Sequence, residues 1–482
     1  MRQFVRRSLS VRILAYSEVL GGKKMSKKFG NINRREFLIK ASYLLGSVGV
    51  TPFLRAEMLY DFSKKFMPEA LAADIGGSRV HHFFDLTFRA GMPLINIGTG
   101  VEFTALGAAT FSNSPATPSE MTKHGRSEMP IYLNPKTIAL APYASNLAIT
   151  QGVNVSNGHT PTFNKRNAGQ NLVNPVIQHT ARNASKFVVG GVNWFKSNGV
   201  TNNLTGGYSD LQGIADENAF NTLFTKPSLR LNDAEVAAVS EAAKGISRKQ
   251  GELLEQRMKD PQNAMASQRK GMDLLTQDFT KALSVSSAER TAFRVGMTGA
   301  SVGNITQDIG LAVIKSLKAM ENGLLGNAQL TVNTNDWHGD NTVGYANRQS
   351  AIGEHLAVIL AATMDYLRKT PSLTAPGKML SEVTLIQIQS EFTRGIAAAG
   401  SDNSDGGTDG TLLLGDMING GYYGSFALTG TTQAYGFSPE TGAPTVGARN
   451  KAEEVYNTVQ ALLGNPTVVA DAATWTSWIR KA

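Results

Sequence analysis

The sequence contains no cysteine among its 482 residues. This absence excludes disulfide bonds, thiolate metal ligands and a cysteine nucleophile, although it does not by itself identify the cellular compartment. Hydrophobic residues make up 41% of the chain. That share and the length allow a large core, in one large domain or two smaller ones.

The chain also lacks excess charge outside its first 72 residues. Residues 1–72 contain 14 Lys and Arg residues and 5 Asp and Glu residues, which accounts for the entire net charge of +9. Proteins that bind the phosphate backbone of nucleic acids carry their positive charge on the folded domain. The distribution therefore predicts no nucleic-acid partner.

Long hydrophobic runs are missing as well. The apolar stretch at residues 41–53 is shorter than the ~20 residues that cross a bilayer, and it follows a basic segment with Arg34-Arg35. This order predicts a twin-arginine export signal, with the export machinery as a partner and the periplasm or cell surface as the destination. The alternative is a chance pair of arginines before an amphipathic helix.

The small residues of Ala70-Leu71-Ala72 predict a cleavage site at the end of this leader. We therefore expect a leader at residues 1–72 and a single domain at residues 73–482. Met25 begins a complete signal on its own and is an alternative start. The alternative to cleavage is a leader that remains as an anchor, and no other transmembrane segment is expected.

Short apolar, β-rich runs alternate with helical stretches from residue 80 onward, which is typical of an α/β protein. Strands are predicted at residues 83–88, 146–153, 328–333 and 382–389. The last run is nearly continuous in apolar and β-branched residues, which indicates a strand buried on both faces. Apolar residues at helical spacing in 350–368 predict a crossover helix between the last two strands.

Two regions differ from this pattern. Residues 232–283 are rich in helix-forming residues, begin with Asn232-Asp233 as an N-cap and are divided by Pro261, which predicts an inserted helical hairpin. Residues 401–450 are rich in Gly, Ser and Thr. They are expected to form loops with few regular elements, of the kind that surround active sites.

Two stretches contain side chains that can bind a divalent metal. Asp336 and His338 stand two residues apart just past a predicted strand, so both can reach one ion. Glu391 and Arg394 follow a buried strand at the end where open α/β sheets bind ligands, and Asp409 follows on a Gly-rich loop. Taken separately, each stretch is more typical of a hydrogen-bonded or solvated turn.

The order of these features resembles that of a known family. NDWH at 335–338, Ser390-Glu391-Phe392 with Arg394, Gly407-Thr408-Asp409 and GGYYG at 420–424 follow one another in the sequence. This series resembles a bacterial, largely uncharacterised family of twin-arginine-exported proteins related to the alkaline phosphatase and sulfatase superfamily. The resemblance is good over residues 328–465 and thin over 80–200. It implies a mixed, mainly parallel sheet sandwiched by helices.

The resemblance also implies roles for individual residues. Asp336, His338 and Asp409 would bind a divalent metal ion, zinc or calcium. Glu391 and Arg394 would be catalytic groups in or next to the metal site, with Arg394 suited to an anionic oxygen.

The sequence departs from the family at two positions. The family has a histidine directly after the Asp of the Gly-Thr-Asp motif, where this sequence has Gly410, and an aspartate after the first strand, where it has Pro93. His159 matches a family histidine and is a further candidate metal ligand, with a turn histidine as the alternative. His355 lies in an apolar helical stretch and is expected to pack in the core.

Three hypotheses about function remain. The first is an exported protein that keeps the fold, has a decayed metal site with one ion or none, and binds a small anionic or glycan-like ligand. The second is an active metal-dependent hydrolase of phosphate or sulfate esters. The third is a structural or partner-binding exported protein. The sequence identifies neither a nucleophile nor a substrate.

Overall fold

A computed structural model of the protein describes residues 80–89, 97–98, 121–154, 174–183, 187, 189–195, 211–224, 279–333, 343–390, 408–427, 433–465 and 469–480. All of these residues belong to the second of the two units into which the chain divides, Pro68–Ala482. The predicted leader and most of the predicted helical hairpin, residues 232–278, lie outside the described residues. None of the described helices is long and apolar enough to cross a bilayer.

A mixed, mostly parallel sheet of nine strands forms the centre of the described structure. In spatial order its strands are β10 (Gly421–Tyr423), β4 (Leu147–Asn154), β9 (Thr408–Leu414), β8 (Thr384–Ser390), β1 (His82–Arg89), β7 (Leu325–Asn333), β5 (Val189–Trp194) and β6 (Gln212–Ile214), while β13 (Asn450–Lys451) pairs with β4. Within this described sheet, only β9 runs antiparallel to its neighbours. Two small antiparallel pairs are not hydrogen-bonded into this sheet: β2 (Thr122–Gly125) with β3 (Pro130–Leu133), and β11 (Ser425–Ala427) with β12 (Gln433–Tyr435).

The α-helices of the described residues are α1 (Pro175–Arg182), α2 (Glu217–Thr222), α3 (Ser287–Ala292), α4 (Ile309–Glu321), α5 (Val343–Lys369) and α6 (Ala452–Leu463). Short 3₁₀ helices occupy Ile138–Asn146, Ala300–Val302, Leu380–Glu382 and Thr476–Trp478. α4 begins where the Asp308 side chain accepts a hydrogen bond from the Leu311 backbone amide over 2.9 Å, which satisfies one of the free amides of the first turn. α6 ends at Gly464, whose φ of 64° is a left-handed conformation that glycine adopts without strain.

The four predicted strands are confirmed as β1, β4, β7 and β8. Residues 384–389 of β8 are all buried, as predicted for this strand. The predicted helix at 350–368 is confirmed as part of α5, which connects the parallel strands β7 and β8. These two strands are not neighbours, because β1 lies between them and pairs with both.

The two faces of the sheet differ in what covers them. On one face, Phe84 and Leu86 of β1 belong to the main apolar core together with Leu356 of α5 and residues of α4. On the opposite face, Phe83 of β1 packs in a second apolar cluster with Val455 of α6 and residues of α1. We call this second side the polar face, because buried polar side chains occupy its centre.

The expectation of few regular elements in residues 401–450 is wrong for the described part of that region. β9 lies in the middle of the sheet between β4 and β8, and four further short strands follow it. β9 begins Thr408-Asp409-Gly410, and Asp and Gly are depleted in strands. Pairing on both sides, with β4 and with β8, makes this segment a strand despite its composition.

The C-terminal residues hold α6 in place over the polar face. Trp475 and Trp478 are buried beside each other, with ring centroids 4.8 Å apart. The Trp475 indole nitrogen donates a hydrogen bond to Glu454 Oε2 of α6 over 2.9 Å. A buried indole needs such a partner for its N–H group, so this contact fixes the chain end against the helix.

Candidate functional site

Several parallel strands end at the same edge of the sheet, which we call the carboxyl edge. β1, β4, β5, β7 and β8 run in one direction, and Arg89, the last residue of β1, pairs with Asn333, the last residue of β7. β9 runs the other way and starts at this edge, where Thr408 pairs with Asn154, the last residue of β4. Open α/β sheets bind their ligands at such an edge, so the candidate site lies here.

All predicted site residues except Asp409 lie outside the described residues, in segments that follow strands ending at the carboxyl edge. Asp336 and His338 come after β7, Glu391 and Arg394 come after β8, and His159 comes after β4. The strand ends therefore bring the starting points of three segments to one edge. The positions of the side chains themselves stay predictions.

Asp409 is the predicted site residue whose backbone the structure describes. It lies within β9, paired with Val153 of β4 next to the carboxyl edge, and not on a loop as the sequence indicated. Gly410, where the resembling family has a histidine, is the next residue of the strand and is buried. β9 therefore has an aspartate next to the carboxyl edge, and the residue that follows it is a glycine instead of a histidine.

A buried carboxyl group that the sequence analysis missed lies at the centre of the polar face. Asp85 of β1 is 2% exposed, and it lies between glutamine side chains from both neighbouring strands. Gln329 Nε2 of β7 donates to Asp85 Oδ2 over 3.0 Å, and Gln389 Nε2 of β8 donates to Asp85 Oδ1 over 3.1 Å. Both carboxyl oxygens thus accept amide hydrogens, which ties three strands together and fixes the direction of both amides.

Polar side chains continue along this face in two rows across the strands. Strand register places one row at Asn193, Gln329, Asp85 and Gln387, and the next row toward the carboxyl edge at Thr331, Thr87, Gln389, Thr411 and Thr150. All of these side chains are buried. Burying polar groups costs free energy unless they are hydrogen-bonded, and natural proteins accept such a cost mainly at functional sites.

α1 and α6 add further polar groups above this face. His179 Nδ1 of α1 lies 2.7 Å from Asn327 Oδ1 of β7, and Asn327 Nδ2 donates to Thr180 Oγ1 over 2.9 Å. Gln460 of α6 donates to Gln178 Oε1 of α1 over 2.7 Å. These hydrogen bonds connect the two helices to each other and to the sheet, so they enclose the polar face.

Two of the buried histidines that the structure describes are neutral packing residues. His355 of α5 is fully buried, as predicted, and burial together with the positive charge of Arg294 lowers its pKa to about 4. Burial lowers the pKa of His82 to about 3, with the neighbouring His81 as a second cause. Both imidazole rings are therefore uncharged at pH 7.

The sequence does contain a pattern that indicates the polar face. β8 reads TLIQIQS, and in β1 Asp85 and Thr87 stand on either side of Leu86. Polar and apolar residues thus alternate, which normally predicts a strand with one solvent-exposed face. Because both faces of these strands are buried, the alternation instead marks a polar surface inside the protein.

The described residues alone do not form a metal site at the carboxyl edge. Among the residues that the structure describes, no three His, Asp or Glu side chains lie close enough together to hold one. Gln329 and Gln389 turn their NH₂ groups toward Asp85, whereas a cation bound there would require their carbonyl oxygens. A metal site at this edge therefore depends on the predicted ligands whose side chains lie outside the described part.

Comparison with known proteins gives no assignment, because no family model, no curated protein and no solved structure matches the chain. The resemblance of the sequence to the sulfatase-like family stays a prediction.

Proposed function

We propose that this chain is an exported protein of the alkaline phosphatase and sulfatase type, delivered to the periplasm or cell surface, which binds a small anionic or glycan-like ligand. The binding site is the carboxyl edge of the sheet. The observation that carries the proposal is the common edge at which β4, β7 and β8 end and β9 begins. The segments with the predicted site residues start there, so residues from distant parts of the chain become available to one ligand.

The proposal includes a metal site that has lost part of its ligands. Gly410 and Pro93 stand where the resembling family has a histidine and an aspartate, and a two-metal hydrolase needs ligands at such positions. The remaining predicted ligands would hold one zinc or calcium ion weakly, or none. Binding would then rely on hydrogen-bonding groups and on Arg394, whose planar guanidinium group suits a carboxylate, phosphate or sulfate.

Elemental analysis of the purified exported protein, beside a screen of phosphate and sulfate esters, tests the decayed site. We expect no stoichiometric zinc, calcium or manganese, and no ester turnover when these ions are added. Asp336→Ala removes a predicted ligand, while Asp405→Ala changes an aspartate without a predicted role and serves as the control. Stoichiometric metal that disappears only in Asp336→Ala, together with ester hydrolysis, would overturn this part of the proposal.

Calorimetric titration with inorganic sulfate, inorganic phosphate and neutral sugars tests ligand binding separately. We expect at least one of these probes to bind. Arg394→Met should weaken the binding of the anions while the protein remains folded. A chain that binds none of the probes would not have the proposed function.

An active metal-dependent ester hydrolase is the second candidate. The segments that follow β4, β7 and β8 start at one edge, and this arrangement would also serve catalysis. Ester turnover that requires an added ion and is abolished by Asp336→Ala would favour it. The third candidate, a structural or partner-binding exported protein, predicts neither metal nor turnover. It predicts instead a protein partner that is recovered with the chain from the periplasm.

A further inference from the structure

The carboxyl edge has a notch at the end of β5. The register pairs Asn193 with Gln329 and Trp194 with Leu330, and β5 ends there, while β7 continues to Asn333. Phe195, the next residue, has a φ of 60°, a left-handed conformation that is uncommon outside glycine. β5 thus ends at Trp194, and Phe195 keeps one backbone hydrogen bond, from its amide to the Ile214 carbonyl oxygen of β6 over 3.0 Å.

Two buried hydrogen-bond acceptors lie beside this notch. The side chains of Asn193 and Gln329 are neighbours on the polar face, and each residue is 2% exposed. Among the residues that the structure describes, neither Asn193 Oδ1 nor Gln329 Oε1 accepts a hydrogen bond. Buried polar atoms nearly always have a partner, so two adjacent acceptors without one require an explanation.

Asp85 determines which end of the Gln329 amide is free. Gln329 donates its NH₂ group to Asp85 Oδ2 over 3.0 Å, and this bond leaves its carbonyl oxygen to accept a hydrogen bond from elsewhere. Adjacent strands lie about 4.8 Å apart. Asn193 and Gln329, which pair across β5 and β7, are therefore near enough for one small molecule to contact both side chains.

The charges around the notch favour a neutral ligand. Lys315 is the only Lys or Arg that is buried among the described residues, and it lies in α4 on the opposite face of the sheet. On the polar face, the two rows of the described structure contain amides, hydroxyls and the single carboxyl group of Asp85. Within these two described rows, an anion would find no cation and would lie near a carboxyl group.

We propose that Asn193 and Gln329 bind two hydroxyl groups of a neutral polyhydroxylated ligand, a sugar or polyol, at the notch. The inference rests on the proposed function, because it identifies the glycan-like class among the ligands of the carboxyl edge. Hydroxyl groups donate to both carbonyl oxygens and so satisfy the two open acceptors. The hydroxyl groups of Thr331 and Thr87 belong to the next row, which lies closer to the carboxyl edge on the same face.

Calorimetric titration of the full chain with glucose and mannitol tests the inference, with glucose 6-phosphate and glucosamine as the charged counterparts. We expect one of the two neutral probes to bind. Asn193→Leu should weaken that binding about tenfold, the equivalent of roughly one lost hydrogen bond, and Gln329→Met should weaken it similarly. Gln387→Met is the matched control, because Gln387 lies in the same row beyond Asp85, away from the notch, and should leave the affinity unchanged.

The outcomes separate this inference from the function on which it rests. Binding of glucose 6-phosphate, sulfate or glucosamine without binding of glucose or mannitol would overturn the neutral-ligand site, while anion binding would preserve the broader function. Binding of no probe would overturn both. Equal affinity of Asn193→Leu and the parent for a neutral probe would also overturn the site. Asn193→Leu removes an open acceptor and is expected to fold, which a thermal melt of each variant verifies.

Discussion

The ammonium group of Lys315, buried in α4, lies 2.7 Å from Glu217 Oε1 of α2. The Lys315 side chain is only 3% exposed, while that of Glu217 is 31% exposed. Lys315 Nζ also donates to Asn221 Oδ1 and to the Leu283 carbonyl oxygen, each over 3.0 Å. Three acceptors around one buried cation satisfy its donors and attach α2 and the segment before α3 to α4.

Lys315→Met is expected to destabilise the protein by about 1–3 kcal/mol, because it leaves the Leu283 carbonyl oxygen and the Asn221 side chain without their donor. Urea denaturation at pH 7 measures the change. Lys318→Met is the control, since the Lys318 side chain, which is paired with Glu289, is 14% exposed against 3% for Lys315 and should contribute less. Equal losses of unfolding free energy in the two variants would show that the burial of Lys315 does not determine its contribution to stability.

Asp85→Leu is expected to cost about 2–4 kcal/mol. It leaves the Gln329 amide without its acceptor, and it takes one of two acceptors from the Gln389 amide, which also donates to Thr87 Oγ1. Asp85→Asn should cost less, since it keeps one acceptor oxygen in nearly the same shape. Denaturant unfolding of both variants, with Asn193→Leu as a control that removes no hydrogen bond to a described residue, measures the difference. An Asp85→Leu protein as stable as the parent would show that the carboxyl group does not hold the three strands together.

His355 should make the protein less stable as the pH falls. Its pKa is lowered to about 4 in the folded protein and lies near 6.5 when the chain is unfolded. The unfolded chain therefore binds the proton first, so stability is full above pH ~6.5 and declines as the pH falls toward about 4. The loss amounts to up to about 3 kcal/mol for this group.

The measurement is the free energy of unfolding at pH 7 and at pH 4.5 for the parent and for His355→Leu. The variant should lose less stability between the two pH values, because leucine cannot take up a proton. Other groups, including His82, titrate equally in both proteins, so the difference between them isolates His355. Parallel pH dependence in parent and variant would refute the assignment.

The predicted export depends on the Arg34-Arg35 pair. Replacing both residues by lysine should keep the protein in the cytoplasm, because the twin-arginine route requires that pair. Cell fractionation followed by immunodetection measures the distribution. Arg55→Lys, at another arginine of the leader, is the matched control and should be exported like the parent. Unchanged export of the double variant would refute the twin-arginine prediction.

The sequence predicts the central strands well and their arrangement poorly. β8 and β4 are short apolar runs, and α5 has apolar residues at helical spacing over a long stretch. The local pattern is therefore sufficient to predict these elements. β9 contains Asp409 and Gly410, and only its pairing with β4 and β8 makes it a strand. The insertion of β1 between β7 and β8 depends on contacts across hundreds of residues, which no local pattern encodes.

The candidate site is likewise predicted from the sequence only in part. The sequence indicates residues that follow strand ends, such as Glu391 and Asp336, because strand ends can be located from hydropathy. The network of Asp85 was not predicted, although the alternation of glutamine and isoleucine in β8 indicates a polar face. The open acceptors of Asn193 and Gln329 follow from strand register and from the end of β5, which are properties of the assembled sheet.

The central position of β1 has a consequence for how this protein folds. The side-chain partners of Asp85, Gln329 and Gln389, lie 244 and 304 residues further along the chain. The contact order of the sheet is therefore high, which predicts slow folding. On the ribosome, β1 cannot pair with both of its neighbours until β8 has emerged, and its apolar residues stay exposed until then.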